Sequence, residues 1–142
     1  MADRIRLVSN TGQNLRLNPI DGTLVLADGI LSPGTPSITG AAYTNNFAGA
    51  TSTVLFNIDT QNNRLYRQDA PNTGVLTDVG PLGVTATAMN GFDIGGTSGA
   101  AYALLAVGGV TKVYTINLTT GAATAGATLS TEVKAFTLGL GF

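Results

Sequence analysis

Eight carboxylates, seven cationic side chains and a scatter of hydroxyls are what this 142-residue chain offers for chemistry, because it contains no His and no Cys. That removes imidazole bases, thiolate nucleophiles, the usual zinc ligands and disulfides, and with them Ser-His-Asp and Cys-His catalysis. Carboxylate chemistry remains. A glycosidase needs two carboxyl groups held about 5–10 Å apart. Asp93, in Gly91-Phe92-Asp93-Ile94, is the most interesting acid, since its strand is expected to be innermost and could face a central channel. No second acid recurs with it, and Thr44 and Thr137 stand at roughly equivalent places. The plainer reading is a carboxylate that accepts hydrogen bonds from nearby backbone or Thr groups, as buried acids must. Thr44, Asn45, Asn46 and Thr137 join Asp93 as the residues expected to face a channel or ligand; none is assigned a catalytic, cofactor-binding or metal-binding role.

Arg4, Arg6 and Arg16 alternate with Ile5, Leu7, Leu15 and Leu17, which puts the three cations on one sheet face. They could bind a phosphate or sugar acid, or form a packed face with Arg paired to Asp. Tyr43, Tyr66, Tyr102 and Tyr114 recur along the chain and read as packing between repeats more readily than as a sugar-stacking platform, because no Trp is present. Asp59-Thr60-Gln61-Asn62-Asn63 and Asn72-Thr73-Gly74 have too few acids for a calcium loop and read as turns. Gly95-Gly96-Thr97-Ser98-Gly99 lacks the Gly-Lys-Ser/Thr ending of a phosphate loop and joins two strands.

The elements that must position these groups are strands. Short runs of Thr, Val, Ile, Leu and Tyr alternate with Gly, Asn, Asp and Pro, and no window carries the 3.6-residue apolar period of an amphipathic helix. The class is all-β. A net charge of −1 gives no footprint for nucleic acid. The uncharged run from Ile94 to Thr111 is broken by glycines and polar residues, so it reads as a buried strand with turns and not as a membrane span. The first residues, Met1-Ala2-Asp3-Arg4, meet charge at once and show no signal-peptide pattern, which reads as cytoplasmic as expressed.

One grammar repeats three times: an apolar strand, a turn, an alternating strand, a Gly-bearing hairpin and a closing strand. The hairpin glycines Gly22, Gly74 and Gly121 and the closing glycines Gly29, Gly80 and Gly126 recur roughly every 50 residues, the signature of four-stranded propeller blades. The expected single domain thus holds blade 2 at residues 38–83 and blade 3 at 88–130. Blade 1, at residues 3–30, lacks its opening strand. Lys134-Ala135-Phe136-Thr137-Leu138 echoes Gly91-Phe92-Asp93-Ile94, so a carboxyl-terminal strand at 133–141 is expected to complete blade 1. Three blades cannot close a ring, since propellers have about four to eight. Two copies give six, through a twofold homodimer in which each terminal strand completes the partner's first blade. The competing architecture is a six- or seven-stranded sandwich with the terminal strand paired inside its own chain.

The segment from Asp3 to Pro19, Ala42-Tyr43-Thr44-Asn45-Asn46, Val79-Gly80-Pro81-Leu82-Gly83-Val84, Gly91-Phe92-Asp93-Ile94 and Tyr114-Thr115-Ile116-Asn117-Leu118 resemble the bacterial domain-of-unknown-function family of the 4394 type. The resemblance implies a β-propeller, often in exported proteins, and no established activity. It also implies further repeats before Asp3-Arg4-Ile5-Arg6, so this chain resembles a carboxyl-terminal half, natural, excised or engineered. The leading expectation is a non-catalytic, self-assembling domain with no cofactor, no nucleic-acid partner and no membrane. A small-ligand or glycan-binding module using the channel or loop face is the alternative, and a carboxylate hydrolase comes third.

Overall fold

Eleven short strands form three antiparallel sheets of three, four and four strands in the computed structural model, which describes residues 3–131, 133, 135–139 and 142, the side chains of 88–90 excepted. Among the described residues there is no α-helix. The first sheet runs β1 (Ile5–Val8), β2 (Asn14–Leu17), β3 (Leu24–Ala27); the second β4 (Ile38–Tyr43), β5 (Leu55–Asp59), β6 (Arg64–Gln68), β7 (Thr77–Pro81); the third β8 (Ala88–Ile94), β9 (Ala101–Val107), β10 (Val110–Ile116), β11 (Ala123–Thr128). Each is a meander in which every strand pairs with its sequence neighbours. The all-β class and the repeat of strand, hairpin and closing strand therefore stand as read from the sequence.

Local chemistry sets the turns. Gly108 and Gly109, both at positive φ, form the two-residue link between β9 and β10, a backbone that matches strand twist and that side chains resist. Asp59 ends β5 fully buried, and its carboxylate accepts from the backbone N–H of Ser37, Gln61 and Asn62 and from Asn62 Nδ2. The run from Asp59 to Asn63 is accordingly a turn, with Asn63 at φ +54°. The five-residue turns from Asn18 to Gly22 and from Asn117 to Gly121 are copies, each closed by the Gly N–H donating to the Asn carbonyl.

The sheets meet at two seams of different character. Sheets two and three share the main core, in which Phe56, Ile58, Leu65 and Leu82 pack with Phe92, Ile94, Leu105 and Tyr114. Between sheets one and two the apolar contact is small, Leu31, Ile38 and Leu76 with Val8 and Tyr66 beside them. At both seams a closing glycine backs onto the hairpin turn of the next sheet. A side chain on Gly29 would strike the Thr73 carbonyl, and one on Gly80 the Thr120 carbonyl. Gly126 differs from what its spacing predicts. The bulge between Lys112↔Thr128 and Tyr114↔Ala125 sets it over Val113, with no neighbouring sheet behind it, and Ala127 takes the ladder place of Gly80.

Beyond Thr128 no described residue lies in a strand. Among the described residues of the expected strand, 133 and 135–139, none is assigned to a ladder with the first sheet inside this chain, and Lys134, expected in that strand, lies outside the described residues.

Candidate functional site

Arg6 and Arg16 stand directly opposite each other in the β1–β2 ladder. Like charges so placed repel unless an anion lies between them. Asp28, just past β3, supplies it: Oδ2 accepts from Arg6 Nη1 (3.0 Å) and Arg16 Nε (2.8 Å), and Oδ1 from Arg16 Nη2 (2.8 Å). Arg6 then crosses to the second sheet, donating to Tyr43 Oη (2.9 Å), Asn72 Oδ1 (2.7 Å) and the Pro71 carbonyl (3.3 Å). Asn14 and Gln68 donate to the same carbonyl. Only 7% of the Arg6 and 3% of the Asp28 side chain is exposed. Burial pushes the Asp28 carboxyl up, and the hydrogen bonds and charges of Arg16 and Arg6 outweigh it, holding the group below the usual carboxylate range.

The three arginines do converge, but not as a free anion site. Arg6 and Arg16 are held by Asp28, and Arg4, exposed, donates to the Asp3 backbone carbonyl. Asp28 was legible only as an acid before a closing glycine. Asn14, Asn57 and Gln68, all buried, carried no signal in the sequence, and Asn57 Oδ1 has no hydrogen-bond partner. The tyrosines pack between elements: Tyr114 in the main core, Tyr66 beside the small one, Tyr43 on Arg6, and Tyr102 edge-on to Phe142 with ring centroids 6.0 Å apart.

Asp93 holds the carboxyl-terminal segment. Its Oδ2 accepts from Thr137 Oγ1 (2.8 Å) and the Leu138 N–H (2.8 Å), while Oδ1 takes the Ile94 N–H. Phe136 lies so close to β8 that a Cβ on Gly91 would come within 2.5 Å of its own Cβ. Further on, the N–H groups of Thr97 and Ser98 donate to the Phe142 carbonyl. The segment thus runs beside β8 in the direction of β8, on named hydrogen bonds. Asp93→Ala removes both acceptors, and the expected result is loosening of residues 133–142, read as early proteolysis there with the rest of the fold intact; equal protection in variant and parent would refute the anchoring role. Thr44 Oγ1 accepts from the Val54 N–H, and Asn45 and Asn46 are exposed on the loop that follows.

Two cavities adjoin along the free edge of β1. One, of about 300 Å³, lies between Ile5, Arg6, Leu7 and Val8 of β1 and Thr39, Gly40 and Ala41 of β4. The other, of about 760 Å³, continues from Arg6 past Arg4 and Asp3 on one side and Tyr43, Asn46 and Phe47 on the other. Thr44 and Asp93 line neither, whereas Asn45 and Asn46 border the larger.

The family described as a domain of unknown function, DUF4394, matches residues 1–139. The chain belongs to that family. No curated protein and no solved structure matches it. The DUF4394 description carries no activity, so the edge of β1, the two cavities and the segment beside β8 are the features from which function must be argued. In this DUF4394 chain the first sheet also carries an unusual surface: of eleven exposed large hydrophobics among the described residues, seven (Ile5, Leu7, Ile20, Leu24, Val25, Leu26 and Ile30) belong to it or its flanks.

Proposed function

We propose that the chain is a non-catalytic, self-assembling half-ring: three propeller blades that pair with a second copy in a twofold homodimer, giving six blades. The observation that carries this reading is the first sheet, which has three strands where the others have four and which concentrates the exposed apolar side chains on itself. An unpaired edge beside an apolar face is what a sheet presents to a partner. The chain also holds at its other end a segment already lying where the inner strand of a following blade would lie, beside β8 as β8 lies beside β4. The two seams follow one order, closing glycine to next turn, so in the ring the third sheet would meet the turn of a second copy's first sheet at Asp21-Gly22, and space is open at Gly22. That seam would not copy the others, because Ala127 stands at the ladder place of Gly80 and its methyl would hold the turn off.

Light scattering tests the reading. A mass twice that of the chain at low micromolar concentration is expected, and deletion of residues 133–142 is expected to abolish it. A compact monomer, or an oligomer of unchanged size after the deletion, would overturn it.

A second reading, a binding module for a small anionic glycan, is favoured by the larger cavity, where Arg4, Asn46 and Asn72 converge with the half-exposed ring of Phe47. Polar groups around an apolar surface in a concave site are the usual composition of a ligand pocket. A glycan array with no hits would leave it without support.

A further inference from the structure

The register in which a second copy closes the first sheet can be read from the other two. In the second sheet Tyr66 of β6 faces Asn57 of β5, which faces Ala41 of β4; in the third, Tyr114 of β10 faces Ala103 of β9, which faces Phe92 of β8. The same column in the first sheet starts at Leu15. Leu17-Asn18 and Ile116-Asn117 enter the same turn, so Leu15 matches Tyr114, and Leu15 faces Leu7 of β1. The place facing Leu7 belongs to the inner strand. Ala135-Phe136-Thr137-Leu138-Gly139 repeats Gly91-Phe92-Asp93-Ile94-Gly95, which makes Phe136 the counterpart of Phe92.

We propose that residues 135–138 of a second copy pair antiparallel with β1, Phe136 opposite Leu7, Thr137 opposite Arg6 and Leu138 opposite Ile5, which brings Gly139 opposite Arg4 at the mouth of the larger cavity. This rests on the self-assembly reading above and names the segment and the pairing.

Direction and space both fit. The groove follows β1 with falling residue numbers and β4 with rising ones, so an occupant antiparallel to β1 runs with β4. The segment already runs with β8 in its own chain, Phe136 by Gly91 and Phe142 by Thr97 and Ser98. Small residues floor the slot at Gly40 and Ala41, as Gly91 does where Phe136 now lies, so an aromatic ring can sit between two inner strands without displacing either. Ile5 and Leu7, exposed in the single chain, are covered by the added strand. The two cavities share Arg6, so a strand long enough to fill the smaller must enter the larger. The mouth of the polar cavity is thereby taken by the chain itself, in competition with a sugar.

The absence of native cysteine makes the test clean. Residues directly opposite in an antiparallel ladder have Cα atoms about 4.5–5.5 Å apart, within disulfide reach of about 4.4–6.8 Å. Two double variants, Leu7→Cys with Phe136→Cys and Ile5→Cys with Leu138→Cys, are oxidised with diamide. Each is expected to double its mass on a non-reducing gel, while Leu7→Cys with Thr137→Cys, one residue out of register and facing the other way, stays single. A dimer by light scattering that bridges only in the Thr137 pair, or in none, overturns the register and leaves the assembly. A monomer before oxidation overturns the assembly itself. Finally, the bridged dimer is titrated with glucuronate to millimolar concentration and its melting temperature followed. No shift is expected, and a saturable rise would return the larger cavity to a ligand.

Discussion

Replacing Asp28 with asparagine is expected to destabilise the protein by about 3–5 kcal/mol, the range for removing one partner of a buried ion pair. The amide keeps the shape and the acceptor but leaves Arg6 and Arg16 opposite each other with no counter-charge, in a site where Arg6 is nearly closed off from water. The effect has a pH signature. The folded carboxyl titrates below its ordinary value of 3.8, so its stabilising contribution is complete above that value and is lost as the pH falls through the lower folded one. Urea unfolding at neutral and at strongly acid pH is therefore expected to show a wide gap between parent and variant that narrows in acid. A gap independent of pH would mean that the loss comes from packing and not from charge.

The second large effect is expected at Gly74. It sits at φ +77°, where a side chain costs about 1–2 kcal/mol. An alanine there also drives its methyl into the carbonyls of Gly29 and Ile30, which are backbone and cannot rotate away, at a further cost of about 1–3 kcal/mol. Gly22 is the control. Its φ is +71° and open space surrounds it, so Gly22→Ala in the single chain should carry the conformational cost alone. Thermal melts of the two variants separate the contributions: Gly74→Ala is expected to fall well below Gly22→Ala, and equal melting temperatures would show that the seam yields.

Much of the fold was legible because period-two alternation and hairpin glycines are local signals. The strand at Arg64–Gln68 and the turns at Gly22 and Gly121 needed only a few residues each to be read. Gly126 misled, since a bulge shifts ladder position without leaving a mark in spacing. Within the candidate site, Asp93 was legible as an acceptor from backbone and Thr groups, while Thr137 and Leu138 as its donors were not. Asn14, Gln68 and the Pro71 carbonyl were not legible either, because the network ties Arg6 and Asn14 to a carbonyl 65 and 57 residues further on, and the residue types involved are those of ordinary turns.

That polar seam also bears on the order in which the protein can be made. Of the three sheets the first leaves the ribosome before the other two, yet Arg6 and Asn14 find their partners only at Pro71 and Asn72, in the turn between β6 and β7. Closing a loop of that length is an entropic cost that must be met before the contacts repay it. The first sheet therefore waits, apolar side chains uncovered, while the residues that follow it are synthesised. Sheets two and three, joined by a continuous apolar core, can settle as soon as both are present. The polar seam can thus close once residues 71 and 72 have emerged, before the apolar core that runs on to Ile116 is complete.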